Sequence, residues 1–390
     1  MKENVMKKTR MAGLDGLRCI AMMMVVILHF LGKGSLLISA DEGMTGAGIA
    51  AWGLEALCIV AVNLYMLISG YFLCTSSFKL SRLISLYVQL WIYSVGVGML
   101  AYLFGWVPAE QISTNYFLTL LFPVMKEHYW FMSAYIFLYL FLPFLGMAVR
   151  RMNQGQFRLV LALFLGLFSG LISLTPFRFE LDNKGYDMLW YVCMFLTAAY
   201  IRRFSPKFLQ KRSNGVLLYL AGCLGALAEL FVIRMVYVKT GSLQLLLTVS
   251  MQYKHLFVVL ASVGLFAAFL PLEQKEAKEK KEGASLLGKV VCGLAPYTLG
   301  VYLLHENLGV RYVWPQWLCA ERAGSPAKVV VYALVAAVVV FVLGVCVDYV
   351  RSLLQKGFHA LLLFLPPYRR VNDLVRKADA LFAEKTGEAV

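Results

Sequence analysis

The stretch Gly13 to Phe30, GLDGLRCIAMMMVVILHF, decides how the rest of the chain reads. It is apolar enough to enter a bilayer, yet it contains Asp15, Arg18 and His29. On a helix, the steps from Asp15 through Arg18, Met22 and Val25 or Val26 to His29 run in threes and fours, which gathers the polar groups on one face. That face cannot point at lipid. The helical rise carries the chain about 16.5 Å from Arg18 to His29, roughly half of a ~30 Å hydrocarbon core. Ionisable groups at such depth are costly and mark function by default, so the face reads as part of a site. The bland alternatives are an Arg18 that reaches to the headgroups and a His29 that only packs.

Composition agrees with a membrane reading. The 390 residues are 60% hydrophobic and 14% aromatic, and the mean hydropathy is +0.71, too apolar for a soluble chain of this length. A net charge of +15 raises nucleic acid as a partner, but the bases lie in short clusters between apolar runs, as topology signals do. Nucleic-acid binding is therefore not expected. Eight cysteines stand singly, mostly inside apolar runs, and read as packing residues rather than a disulfide framework or zinc site. Lys7, Lys8 and Arg10 precede the first run as in a signal peptide, but no small-residue cleavage site follows it, so it is retained as a span.

Ten spans are expected, near 14–32, 49–73, 83–105, 129–148, 157–175, 187–201, 215–238, 251–270, 287–308 and 328–350. The predicted fold is an all-α polytopic bundle: a short segment 1–13, a membrane domain 14–350 and a tail 351–390. With these spans, 26 Lys and Arg fall on the side of the N terminus and 10 on the other, which predicts that both termini are cytoplasmic. The charged run Glu273 to Gly283 reads as a solvated linker on that side. In the tail, Phe358 to Leu365 is apolar enough for the interface, and Pro366-Pro367 is expected to release a charged helix.

Several polar groups fall within spans or at their ends. Asn63 lies in VNLYMLISGYFL, where Ser69-Gly70 permits a close helix approach; it is either a packing notch or a ligand contact. Glu229 and Arg234 are placed to pair, and Gln89 and His255 have no evident partner. Tyr129 and Trp130 are expected at the outer interface as an aromatic belt. His305 and Glu306 end the ninth span on the side of His29, where His305 either faces water or shares a cavity with it.

Three stretches together resemble the acyltransferase-3 family of integral membrane O-acyltransferases. The family opens with LDGLRxIA and a run ending in His, matched here by Leu14 to Ala21 and His29, with ten residues between Arg18 and His29. Asn63 to Leu73 is similar to its aromatic-rich run into Ser-Gly-Phe/Tyr, and Thr298 to His305 to its SLGIYLIH pattern. The resemblance covers about residues 10 to 350. Where the family often has RxxRxYP, this chain has Arg82 to Val88 without the second Arg or the Pro. Where many members have WSLAVEEQFY, Tyr135 and Ile136 replace the acidic pair.

The resemblance implies a multi-pass enzyme of the plasma or inner membrane that moves an acyl group, by expectation acetyl, from acyl-CoA to a hydroxyl of a carbohydrate or cell-surface glycan precursor. Such chemistry needs a held donor, a deprotonated acceptor and a stabilised oxyanion. The expected catalytic residues are His29 as general base, Arg18 on the CoA phosphates and Asp15 orienting Arg18; Lys79, Arg82, Asn63, Trp130 and His305 are expected to contact substrates. No metal is expected. The rival class is a transporter or flippase of a lipid-linked or anionic solute, with His29 as proton relay, although no internal repeat or paired broken helices show in the sequence.

Overall fold

In the computed structural model, which describes residues 11–39, 43–175, 184–279 and 286–384, the central element is α1 (Ala12–Lys33). The next span is broken into α2 (Gly46–Cys58) and α3 (Ala61–Leu73), and is followed by α4 (Leu80–Leu103) and the short α5 (Thr114–Leu121). Helices α6 (Trp130–Leu140) and α7 (Leu142–Arg151) bend by 58° at their junction. Then come α8 (Gln154–Leu165), carried by a π turn into α9 (Ile172–Leu174), α10 (Met188–Phe204), α11 (Arg212–Thr240) and α12 (Leu256–Glu279). Helices α13 (Leu286–Leu294) and α14 (Thr298–His305) make one further span. The chain ends with α15 (Trp314–Trp317), α16 (Pro326–Leu362) and α17 (Pro366–Glu384), and no strand occurs among the described residues.

Among the described residues, eight segments are long and apolar enough to cross a membrane, or nine if the bent α6–α7 pair counts as one span, against the ten expected. The expected span 187–201 forms α10, which at 17 residues is a short, largely buried helix. Residues 1–10, most of the connection 176–186 and the later part of the charged linker lie outside the described residues.

Burial explains the arrangement. The apolar window of α1 is 67% buried against 22% for α4 and 28% for α11, so α1 is surrounded by protein while the latter two face lipid. Helix α1 packs on α2, α3, α12, α13, α14 and α16. Small residues let other pairs close up. A methyl group on Gly222 or Gly264 would stand under 3 Å from backbone of the facing helix in the α11–α12 pair, and one on Gly70 would stand 2.9 Å from Phe195 Cα of α10. The Ser69-Gly70 signal is thus a contact of α3 with α10.

Three irregular segments run into the bundle, where every backbone group must find a partner inside protein. The turn 122–129 reaches the middle of α4, where Ser94 Oγ donates to Leu120 O at 2.8 Å and lies 2.8 Å from His128 Nδ1. The segment 249–255 is held by Asn63 Nδ2, which donates to Tyr253 O at 2.7 Å and to Ser262 Oγ at 3.1 Å. The third, 306–313, is tied by Asn307 Nδ2, which donates to Tyr93 O at 3.1 Å and Tyr129 Oη at 2.9 Å.

These segments change several expectations. Tyr129 is fully buried, donating to Leu303 O at 3.0 Å, and forms no belt at the outer interface, because the turn before it dips into the bundle. Glu229 approaches His255 Nε2 at 3.3 Å rather than Arg234, whose guanidinium donates to the carbonyls of Ile38 and Ser39. Gln89 donates to Asp348 Oδ1 at 3.0 Å, an acceptor shared with Tyr93 and Arg351. The tail helix is not released: Phe382 of α17 meets Phe78 at 4.9 Å between ring centres, and Ser81 N donates to Asp379 at 3.2 Å.

Candidate active site

A cavity runs alongside α1, lined by Arg18, Met22, Val25 and His29 on that helix, the helical face that the spacing predicts. Arg82 and Ser69 line it with Arg18, while Trp130, Tyr253 and Tyr302 line it with His29. The middle is apolar and aromatic, with Tyr65, Phe131 and Tyr135. Tyr65 Oη donates to Arg18 O at 2.9 Å, which ties α3 to α1 beside the guanidinium.

The hydrogen bonds fix the state of the two histidines. His305 Nδ1 lies 2.6 Å from Val301 O, and a carbonyl can only accept, so this nitrogen holds the proton. In the neutral ring Nε2 is then an acceptor, and it receives the hydrogen bond from His29 Nδ1 at 2.9 Å. Glu306 Oε2 stands 3.2 Å from the same His29 Nδ1, a second acceptor for that proton. His29 therefore keeps its lone pair on Nε2, the tautomer a general base requires.

Glu306 is the hub of this arrangement. It accepts from Lys33 Nζ, one helical turn beyond His29, and Arg311 stands 3.9 Å away. The carboxylate is 6% exposed, so the ammonium supplies the pairing that a buried charge needs. Proton uptake at His29 Nε2 would leave an imidazolium whose Nδ1–H faces that carboxylate, the orienting role of the third member of a nucleophile–base–acid triad. His29, His305 and Glu306 also offer one ligand atom each within 4.8 Å of one another, a grouping that could hold a divalent cation. Lys33 already neutralises the carboxylate and the imidazoles are bonded to each other, so a cation would have to displace both interactions.

The sequence-derived residues divide. His29, His305, Arg18, Arg82 and Trp130 come together along the cavity or its wall. Asp15 accepts from Arg18 Nη1 at 3.3 Å, as an orienting residue would. Arg82 places its guanidinium 5.7 Å from the ring centre of Tyr139. Lys79 has an exposed side chain outside the cavity lining, and its backbone N–H donates to Tyr139 Oη at 3.0 Å. Asn63 is fully buried behind the wall, and also accepts from Trp190 Nε1 at 2.9 Å. Its amide is spent on holding Tyr253 and Trp190 in place. Sequence reasoning passed over Glu306, Lys33, Tyr253 and Tyr302 as site residues. For Glu306 and Lys33 a signal existed, since one follows His305 and the other lies four residues beyond His29.

The described helices form an apolar bundle whose cavity is lined by Arg18 and Arg82 and reaches an imidazole held against a buried carboxylate. The chain belongs to the acyltransferase-3 family: the family's model, described as an acyltransferase domain, matches residues 11–348. By family, then, it is a multi-pass membrane acyltransferase. No curated protein and no solved structure matches it.

Proposed function

We propose that the protein transfers an acyl group, acetyl by family analogy, from acyl-CoA to a hydroxyl of a carbohydrate or glycan precursor at the cell membrane, with His29 as general base. The observation that carries this reading is the His29 tautomer, with Nδ1 committed to His305 and Glu306 and Nε2 left as a proton acceptor at the cavity wall. Nε2 takes the hydroxyl proton as the acceptor oxygen forms its bond to the thioester carbon. The carbon–sulfur bond then breaks, and the imidazolium returns the proton to the CoA thiolate. Arg18 and Arg82 face the donor's phosphates on the side rich in basic residues, which the charge distribution makes cytoplasmic. Tyr302, whose ring centre is 6.5 Å from that of His29, offers a neutral hydroxyl to the oxyanion.

The broken spans and buried charges are also features of transporters, so the decisive measurement is chemical. Protein purified and reconstituted in lipid should release free CoA thiol from acetyl-CoA only when a sugar acceptor is present. Solute flux across the bilayer with no thiol released would favour the transporter instead.

A further inference from the structure

Helix α17 has an apolar sector that nothing among the described residues covers. Val371, Leu374 and Leu381 are 58%, 64% and 61% exposed. At about 100° per residue they fall within a sector of roughly 80°. Tyr368, Asn372, Val375, Asp379 and Phe382 occupy the neighbouring sector, and Asp379 and Phe382 contact Ser81 and Phe78 before and at the start of α4. The uncovered sector follows an exposed apolar set at the end of α16 and in the turn after it, with Phe358, Leu361 and Phe364 at 63%, 66% and 83%. The hairpin between the helices is closed by His359 Nδ1, 2.7 Å from Tyr368 Oη.

Charge says what covers this surface. Arg370 and Lys377, both exposed, flank the apolar sector within about 40° of Leu381. Arg369 and Arg376 lie on the polar side, and Asp379 is engaged by Ser81. An apolar strip edged by cations, continuous with a membrane span, fits an interface of hydrocarbon below and phosphate above. A soluble partner would match the strip but not its continuity with α16.

We propose that α17 and the last turns of α16 form a docking surface for the anionic phospholipid headgroups of the adjoining leaflet, and that this docking holds the start of α4. The surface is independent of the acyl-transfer reading. Arg82 lies one residue beyond Ser81, so a bilayer that binds α17 also steadies the cationic end of the cavity.

The test uses the full-length protein in nanodiscs of pure phosphatidylcholine and of phosphatidylcholine with phosphatidylglycerol, followed by hydrogen–deuterium exchange. Peptides covering 366–384 and 78–84 should exchange at least fivefold more slowly in the anionic discs. Arg370→Gln and Lys377→Gln should each remove about fivefold of that protection, the effect of one base near a charged surface. Leu374→Glu should remove it without altering exchange in α1. Equal protection in both lipids, or protection that inorganic phosphate restores in neutral discs, would overturn the proposal. Protection that rises with two proteins per disc instead of one would assign the surface to a second copy of the chain and overturn it equally.

Discussion

At the residue scale, His29 and Glu306 meet at His29 Nδ1, and under the proposed mechanism they differ in what their loss removes. His29→Ala should fold, bind donor and lower turnover by about 10²- to 10⁴-fold, the range for a positioned base. His29→Gln keeps volume and a polar tip but cannot accept the proton, so it should recover little; wild-type turnover in a folded Gln variant would take His29 out of the mechanism. Glu306→Gln still accepts from His29 Nδ1 yet stabilises no imidazolium, so kcat should drop more than donor KM changes. Tyr302→Phe should cost up to about 10²-fold in kcat if its hydroxyl meets the oxyanion. Arg82→Ala should raise donor KM well above Lys79→Ala, because only Arg82 lines the cavity. Equal effects of the two on KM would sink that distinction. The first-span pattern was legible here because one helix has one period, and Asp15, Arg18 and His29 share its face whatever surrounds it. Glu306 reaches His29 across 277 positions of sequence, and no local period reports such a meeting.

At the scale of elements, the turn 122–129 depends on a neutral ring. His128 Nδ1–H donates to Ser94 Oγ, whose own proton goes to Leu120 O, and His128 Nε2 accepts from Leu308 N at 2.9 Å. His128→Ala should lower the melting temperature of the solubilised protein, since it removes both the acceptor of Leu308 N and the donor to Ser94 Oγ; an unchanged melting temperature would mean that the turn is held without the ring. Helix contacts make a second prediction, since Gly70→Ala forces α3 away from Phe195 at about 1–3 kcal/mol. An unchanged melting temperature would mean that this contact is looser than drawn. The sequence exposed such spans as apolar runs, but not α5 or the dipping turns. Their residues are polar or aromatic in no fixed period, and their partners lie on other helices.

For the whole molecule, the charge count makes a prediction about sidedness that the packing alone does not. A cysteine placed at Lys207 should react with a membrane-impermeant reagent only from the cytoplasmic side, and one at Lys126 only from the other. Labelling of both from one side would break the expected topology. The difference between eight or nine spans and ten arises where length is an unsafe guide: α10 has 17 residues and is largely buried, and α6 is bent by 58° into α7.

Asn63 bears on how the protein is made. Its amide joins Tyr253, Ser262 and Trp190, residues 127 to 199 positions further along the chain, so its polar group enters the membrane long before its partners exist. Insertion of α3 must precede this closure, and the segment 249–255 can seat itself only against helices already assembled. Biogenesis therefore has a late stage that waits on the synthesis of α12. Pulse-labelled chains should stay open to protease within 249–255 until synthesis has passed α12, and Asn63→Leu chains should insert normally yet keep that sensitivity.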